Sequence, residues 1–177
     1  IEAAADELRD GGLAGFTPAA VAKRAGLARS SMYQYYPSTD ALLGAAITTL
    51  LQRSRDRAIA AVDTADTPAA RVSAYIRAAI ADARDGHSAA LEISGVAMPE
   101  VCREGVRVLH EQLREPLLSA LRDAEVPDPQ TLAVLVQGLV NAAASAVAHG
   151  AALERIEAGT IDLVLRGAGL VTPADVR

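Results

Sequence analysis

The chain has 177 residues, enough to bury a full core in one or two compact units without disulfides or metals. Its single cysteine, Cys102, excludes an internal disulfide and fits a reducing compartment. The net charge of −5 is a poor global match for a polyanion, but Thr17–Tyr36 holds three basic residues and no acidic one, a cationic window inside an anionic chain.

Alanine, leucine and arginine dominate and sustained β-branched alternation is absent, so the expected fold class is all-α. A first helix is expected from Ile1 to about Asp10, ending at Gly11-Gly12. Thr17-Pro18 places an N-cap residue before a proline at the first helical position and starts a second helix that runs to Ala25. Gly26 marks a tight turn, and a third helix follows from Arg29 to Tyr35. Pro37 breaks the chain, with Ser38 or Thr39 capping a long fourth helix that reaches Val62. Thr67-Pro68 and Asp128-Pro129 repeat the cap-and-proline signal, and Met98-Pro99-Glu100 shows it without a capping side chain. They predict helices over 68–84, 99–124 and 129–150, with a further helix over 88–96 and a last one between Leu153 and Gly167.

Thr17–Tyr36 carries the chemistry. Two short helices joined by a glycine turn form a helix-turn-helix. Val21, Ala22 and Ala25 share one face of the first helix, and the small Ala22 permits a close crossing. Gly26 can adopt the positive φ of the turn, and Leu27 and Met32 offer apolar anchors. Arg29, Ser30, Ser31, Tyr33 and Gln34 are left to project outward, a set of donors and acceptors suited to base edges. An ordinary helical hairpin with a polar face has the same spacing.

The ordered combination over Ile1–Leu43 resembles the N-terminal domain of TetR-family regulators. It comprises Ile1, Ala4-Ala5, Gly11-Gly12, Phe16-Thr17, Val21-Ala22, Ala25-Gly26-Leu27, Ser30-Ser31-Met32-Tyr33, Tyr35-Tyr36 and Asp40-Ala41-Leu42-Leu43. The resemblance implies a helix-turn-helix domain over residues 1–44 and a ligand-binding and dimerisation bundle over 45–177. It implies that Arg29, Ser30, Ser31, Tyr33 and Gln34 meet base edges or phosphates, that Thr17 and Tyr35 contact the backbone, and that Tyr36 packs as core. Arginine can read guanine bidentately, and hydroxyls suit phosphate oxygens. Two positions depart from the family pattern: Ala28 stands where a serine usually caps the third helix, and Thr39 where a lysine usually stands. The chain opens at Ile1 without methionine, so residues before Ile1 are expected, and the resemblance implies a basic arm there.

Past Gly44 no comparable motif occurs. Leu132, Leu135, Val136, Leu139, Val140, Ala143 and Val147 form an apolar stripe on a helix with almost no charged face, and such a helix must be covered on every side. The cover is either the rest of one chain or a second subunit. The resemblance favours a homodimer through the two C-terminal helices, with Ile161, Val164, Leu165 and Ala168 completing the interface. That helix is not expected to cross a membrane, because Gln137, Asn141 and Ser145 interrupt its most apolar run. An effector pocket is expected among the middle helices, with Tyr75, Met98, His110, Gln137 and Asn141 as candidate wall residues. Each is also compatible with plain core, and Gln137 and Asn141 with a bond across the dimer interface.

No catalytic, metal or cofactor site is expected. His87, His110 and His149 match neither the zincin nor the di-iron spacing. Cys102 and His110 lie about two helical turns apart, beyond hydrogen-bond reach, so Cys102 reads as buried and structural. Arg53, Arg55 and Arg57 read as a solvated surface, and His87 as a loop residue. The expected activity is that of a cytoplasmic, ligand-responsive repressor. It would bind a palindromic double-stranded operator and be released by a small-molecule inducer. The alternative is a helical small-molecule carrier or enzyme with an incidental N-terminal hairpin.

Overall fold

The computed structural model describes residues 1–84 and 100–170. Every regular element among them is a helix: α1 (Glu2–Gly15), α2 (Pro18–Ala25), α3 (Arg29–Tyr35), α4 (Thr39–Asp63), α5 (Pro68–Asp82), α6 (Glu100–Asp123), α7 (Pro129–Ala148) and α8 (Leu153–Gly167). The helix expected over 88–96, Met98, His87 and the side chain of Cys102 lie outside the described residues.

The helix starts follow the cap chemistry. Thr17, Thr67 and Asp128 accept hydrogen bonds from the backbone N–H groups of Ala20, Ala70 and Thr131 at 3.1, 3.2 and 3.0 Å. Each thereby satisfies one of the amides that a helix leaves without an internal partner. Between the two candidates for α4, Ser38 is the residue whose hydroxyl accepts, from Ala41 N–H at 3.1 Å. The Gly11-Gly12 signal is expressed as a kink: Gly12 leaves helical geometry at φ 59°, ψ −172°, and a further helical turn carries α1 on to Gly15.

The described residues divide into two compact units, one of residues 1–54 with 100–111, the other of 55–84 with 112–170. In the first, α1 packs on α2 and α2 on α3. Ala4, Ala5, Leu8, Val21, Ala22, Met32, Leu42, Ala46, Ile47 and Leu50 are its buried apolar side chains. The four-residue spacing of Leu42, Ala46 and Leu50 is the core stripe of α4, and Ala58 and Val62 continue that spacing within the second unit.

In the second unit α5 packs against both α7 and α8, and α7 against α8. Its core gathers Val72, Tyr75, Ile76 and Ile80 of α5, Leu117, Ala120 and Leu121 of α6, Val136 and Val140 of α7, and Ile161 and Val164 of α8. Pro116 sits inside α6. It removes one ladder N–H without ending the helix, because the packed residues Leu117 and Leu121 follow directly. α7 does not bury its whole apolar surface: Ala133, Val136, Val140, Ala143 and Ala144 face the core, while Val134 and Leu135 are exposed. Contrary to the sequence expectation, α7 is long and apolar enough to cross a membrane by length and composition, with 20 residues and a mean hydropathy of 1.7. Its polar residues are uncharged and few, so they lower the average little.

Candidate nucleic-acid interface

The turn between α2 and α3 is built as a Schellman motif. Gly26 takes φ 68°, ψ 27° and its N–H reaches Lys23 O at 3.2 Å, while Leu27 N–H reaches Ala22 O at 2.9 Å. The motif satisfies the last carbonyls of α2 and redirects the chain into α3.

α3 is seven residues long and is held by one buried side chain, Met32, 5% exposed. Anchoring it at Met32 leaves Arg29, Ser30, Tyr33, Gln34 and Tyr35 exposed and Ser31 half-buried; Tyr35 reaches 69% exposure. Tyr33 and Tyr35 are large aromatic surfaces that this unit leaves unburied. Thr17 stands exposed at the start of α2, its hydroxyl oxygen engaged by Ala20 N–H. The structure therefore gathers the residues singled out in the sequence onto α3 and the start of α2.

Leu27 does not serve as a core anchor: it is 44% exposed. The left-handed turn carries it outward, to the rim of a cavity of about 310 Å³ that sequence reasoning did not foresee. Ile1, Ala4, Val21, Met32, Tyr36 and Leu42 also line this cavity, and Tyr36 is half-buried rather than fully packed.

The electrostatics of the unit also differ from a count of charges. Arg24 is not presented outward as a lone cation. Its Nε donates to Glu7 at 2.7 Å and its Nη1 to Asp10 at 2.9 Å, and these carboxylates hold its guanidinium more firmly protonated. Asp10 is held below the ordinary carboxylate range, first by its hydrogen bond from Arg9 and then by Arg24. Lys23 and Arg29 have no acidic partner among the described residues, so they carry the positive charge of the window.

Arg53, read from the sequence as solvated surface, instead clamps α1: Nη1 donates to Asp6 at 2.8 Å and Nη2 to Glu2. Arg55 bonds Asp56 and Gln112, and Arg57 Nε meets Asp82 at 2.6 Å. Glu2 and Asp6, four apart on α1, were the sequence signal for a cationic partner on that face.

The candidate effector residues are dispersed. Tyr75 is in the core of the second unit, and Gln137 donates to Asn141 at 3.0 Å on the outer side of α7. His110 is half-buried in the first unit. Among the described residues no three His, Cys, Asp or Glu side chains are gathered as a metal site.

Residues 1–46, which contain the whole of this interface, match the family model described as bacterial regulatory proteins, tetR family. Over those residues the chain is similar to that family. A curated relative, the HTH-type transcriptional regulator BetI of Rhizobium meliloti (strain 1021), is 39% identical over 77 residues, which are 44% of this chain and 38% of BetI. The matched stretch thus spans well under half of that relative. Solved structures extend the likeness in fold. A transcriptional regulator from Rhodococcus sp. Rha1 superposes with a TM-score of 0.79 at 24% identity, covering 97% of this chain and 96% of that one. AibR, solved with isovaleryl coenzyme A and operator DNA, superposes with a TM-score of 0.71 at 19% identity, covering 92% of this chain and 94% of AibR. An all-helical fold with a helix-turn-helix at its N-terminal end is thus shared with these structures.

Proposed function

We propose that the protein is a homodimeric, cytoplasmic transcriptional repressor. In this reading it binds a palindromic operator through α3 and leaves it when a small-molecule inducer binds the C-terminal bundle. The observation that carries the reading is α3 itself: one buried methionine fixes the helix, and its arginine, serines, glutamine and tyrosines are turned outward beside an unpaired Lys23. A structural hairpin has no reason to keep Tyr33 and Tyr35 in water.

In this assignment Arg29 and Gln34 read base edges. Ser30, Ser31 and Tyr33 reach base edges or phosphates, and Thr17, Tyr35 and Lys23 hold the DNA backbone. Residues 1–44 act as the DNA-binding domain and 45–177 as the effector and dimerisation domain. Two copies place two α3 helices about one turn of DNA apart. The exposed apolar side chains Val134 and Leu135 of α7 and Leu163 of α8, with the Gln137–Asn141 pair between turns of α7, supply the dimer face. Tyr75 marks the effector site. AibR was solved with an acyl coenzyme A and an operator. A bundle of this fold can therefore take a small molecule while α3 serves DNA. The inducer acts by preferring an arrangement that does not fit two half-sites; equal affinity for both arrangements would shift nothing.

The test is gel-shift titration of the promoter DNA flanking the gene, at two salt concentrations. Specific, salt-sensitive binding is expected. Arg29→Ala should weaken it by about one to three kcal/mol with relaxed base preference, and Lys23→Ala should weaken it uniformly and flatten the salt slope by about one. Retention of full specific binding by an Arg29→Ala/Tyr33→Ala variant would overturn the assignment.

A further inference from the structure

The cavity on the buried side of α3 has no part in the assignment above. It lies wholly within the first unit, has a volume of about 310 Å³ and is bordered by α1, α2, α3 and α4. None of its lining residues is charged. The only hydroxyls among their side chains are the phenols of Tyr35 and Tyr36; the rest are aliphatic, apart from the Met32 thioether. Its floor is core, for Ala4, Val21, Met32 and Leu42 are all buried. Its rim is not: Leu27 and Tyr35 stay exposed to water while bordering an apolar hollow. Such a hollow forgoes the contacts its lining would otherwise make, and it offers water few polar partners.

Volume and lining together define an occupant. An apolar cavity of about 150 Å³ takes one benzene ring, so a space about twice as large takes two fused rings. A charge entering it would lose its water with no counter-charge in the wall. Tyr35 and Tyr36 offer ring contacts and Met32 offers a sulfur, and both suit an aromatic guest. We propose that this cavity is a second ligand site, placed in the DNA-binding unit itself, for an uncharged two-ring aromatic molecule. Its occupation braces α3. A seven-residue helix is too short to sustain itself and depends on tertiary packing, and Met32 is its one buried side chain. A ligand in contact with Met32 and Tyr36, and with Ala4, Val21 and Leu42, adds apolar contact to that single anchor. The ligand therefore prefers docked α3 and raises operator affinity. By linkage the operator raises ligand affinity by the same factor. The effect is opposite in sign to that of the inducer on the bundle. The site stands on the geometry of the first unit; its regulatory sense rests on the DNA-binding reading above.

The experiment is an NMR titration of the full-length protein isotope-labelled at its methionine methyls. The sequence contains only Met32 and Met98, so the spectrum is sparse, and a Met32→Leu variant assigns the Met32 signal. Indole and 1-naphthol are the uncharged probes, and sodium 1-naphthoate is the charged arm. At least one uncharged probe should move the Met32 signal saturably, with a dissociation constant below about 1 mM. Naphthoate should bind at least about tenfold more weakly than naphthol. Ala25→Phe, which fills the space from an exposed position at the end of α2, should abolish the shift without lowering the thermal midpoint. Leu27→Ser, which removes part of the rim, should weaken binding about fivefold and carries the assignment if the phenylalanine variant is unstable. In gel-shift, the bound probe should tighten operator binding in the wild type and not in Ala25→Phe or Leu27→Ser. No saturable shift at Met32 with either uncharged probe overturns the proposal. So do naphthoate binding equal to that of naphthol, a shift undiminished in both variants, or operator affinity unchanged at saturating probe. Operator binding without a Met32 shift removes only this inference. A Met32 shift in a protein that binds no operator removes the regulator and, with it, the regulatory sense of the site.

Discussion

Replacing Gly26 by alanine isolates the backbone cost of the turn that aims α3. A Cβ built at Gly26 meets nothing within 4 Å, so packing contributes no penalty. The Schellman hydrogen bonds, Gly26 N–H to Lys23 O and Leu27 N–H to Ala22 O, use backbone atoms that alanine retains. What changes is the residue's tolerance of φ 68°. An L-residue pays about 1–2 kcal/mol to sit there. Alanine recovers about 0.4–1 kcal/mol because its unfolded chain is less free than glycine's. The net expectation is a destabilisation of about 1 kcal/mol, or a fall in Tm of about 2–4 °C for a chain of this size. Urea melts at fixed chain concentration measure it, with unchanged m showing that only stability moved. Gly26→Asn should cost less, since asparagine tolerates the left-handed region. Gly105→Ala should have the opposite sign: Gly105 is an exposed glycine within α6 with nothing near its Cβ, and a helical alanine there gains up to about 1 kcal/mol. A Gly26→Ala variant as stable as the wild type, or an asparagine no better than alanine, would refute the left-handed turn.

Thr67→Ala removes the hydroxyl that accepts Ala70 N–H and should cost about 1 kcal/mol in denaturant melts. Leu121→Ala, at a side chain with no exposure in the second core, should cost about 2–5 kcal/mol by the same measurement. A Leu135→Glu/Leu163→Glu variant should sediment as a folded monomer where the wild type sediments as a dimer, because both side chains are more than half exposed in the single chain. Asp10 is held below its ordinary value of 3.8, so its ion pairs contribute stability above that value and lose it as pH falls through the lower folded value. Asp10→Asn should accordingly flatten the acid limb of a stability–pH curve below about pH 4 and lower the plateau above it.

The elements legible in the sequence were those governed by local chemistry. Cap residues before prolines located α2, α5 and α7 to the residue at their starts, since a side chain three positions from an amide needs no tertiary partner. The α3 surface was legible for a related reason: a seven-residue helix with one apolar anchor has few ways to dock, and burying Met32 turns the polar residues outward. Pairings across helices were not legible. Arg24 counts as a free cation in the sequence and is spent on Glu7 and Asp10 of another helix, 17 and 14 positions away. Arg53 reaches Asp6 across 47 positions.

By itself the sequence determined an all-helical chain, the order and starts of most of its helices, the left-handed glycine and the family signature of the first 46 residues. These depend on side chains within a few positions of one another, and their hydrogen bonds and backbone angles are set before any packing occurs. Tertiary structure alone decided three things. It exposed Leu27, it divided α7 into a buried face and an exposed apolar one, and it enclosed Tyr75 without a hydrogen-bond partner among the described residues. Periodicity tells which residues share a face of a helix. Which of two apolar faces turns inward, and whether a buried hydroxyl finds an acceptor there, is decided by the helices that pack against it.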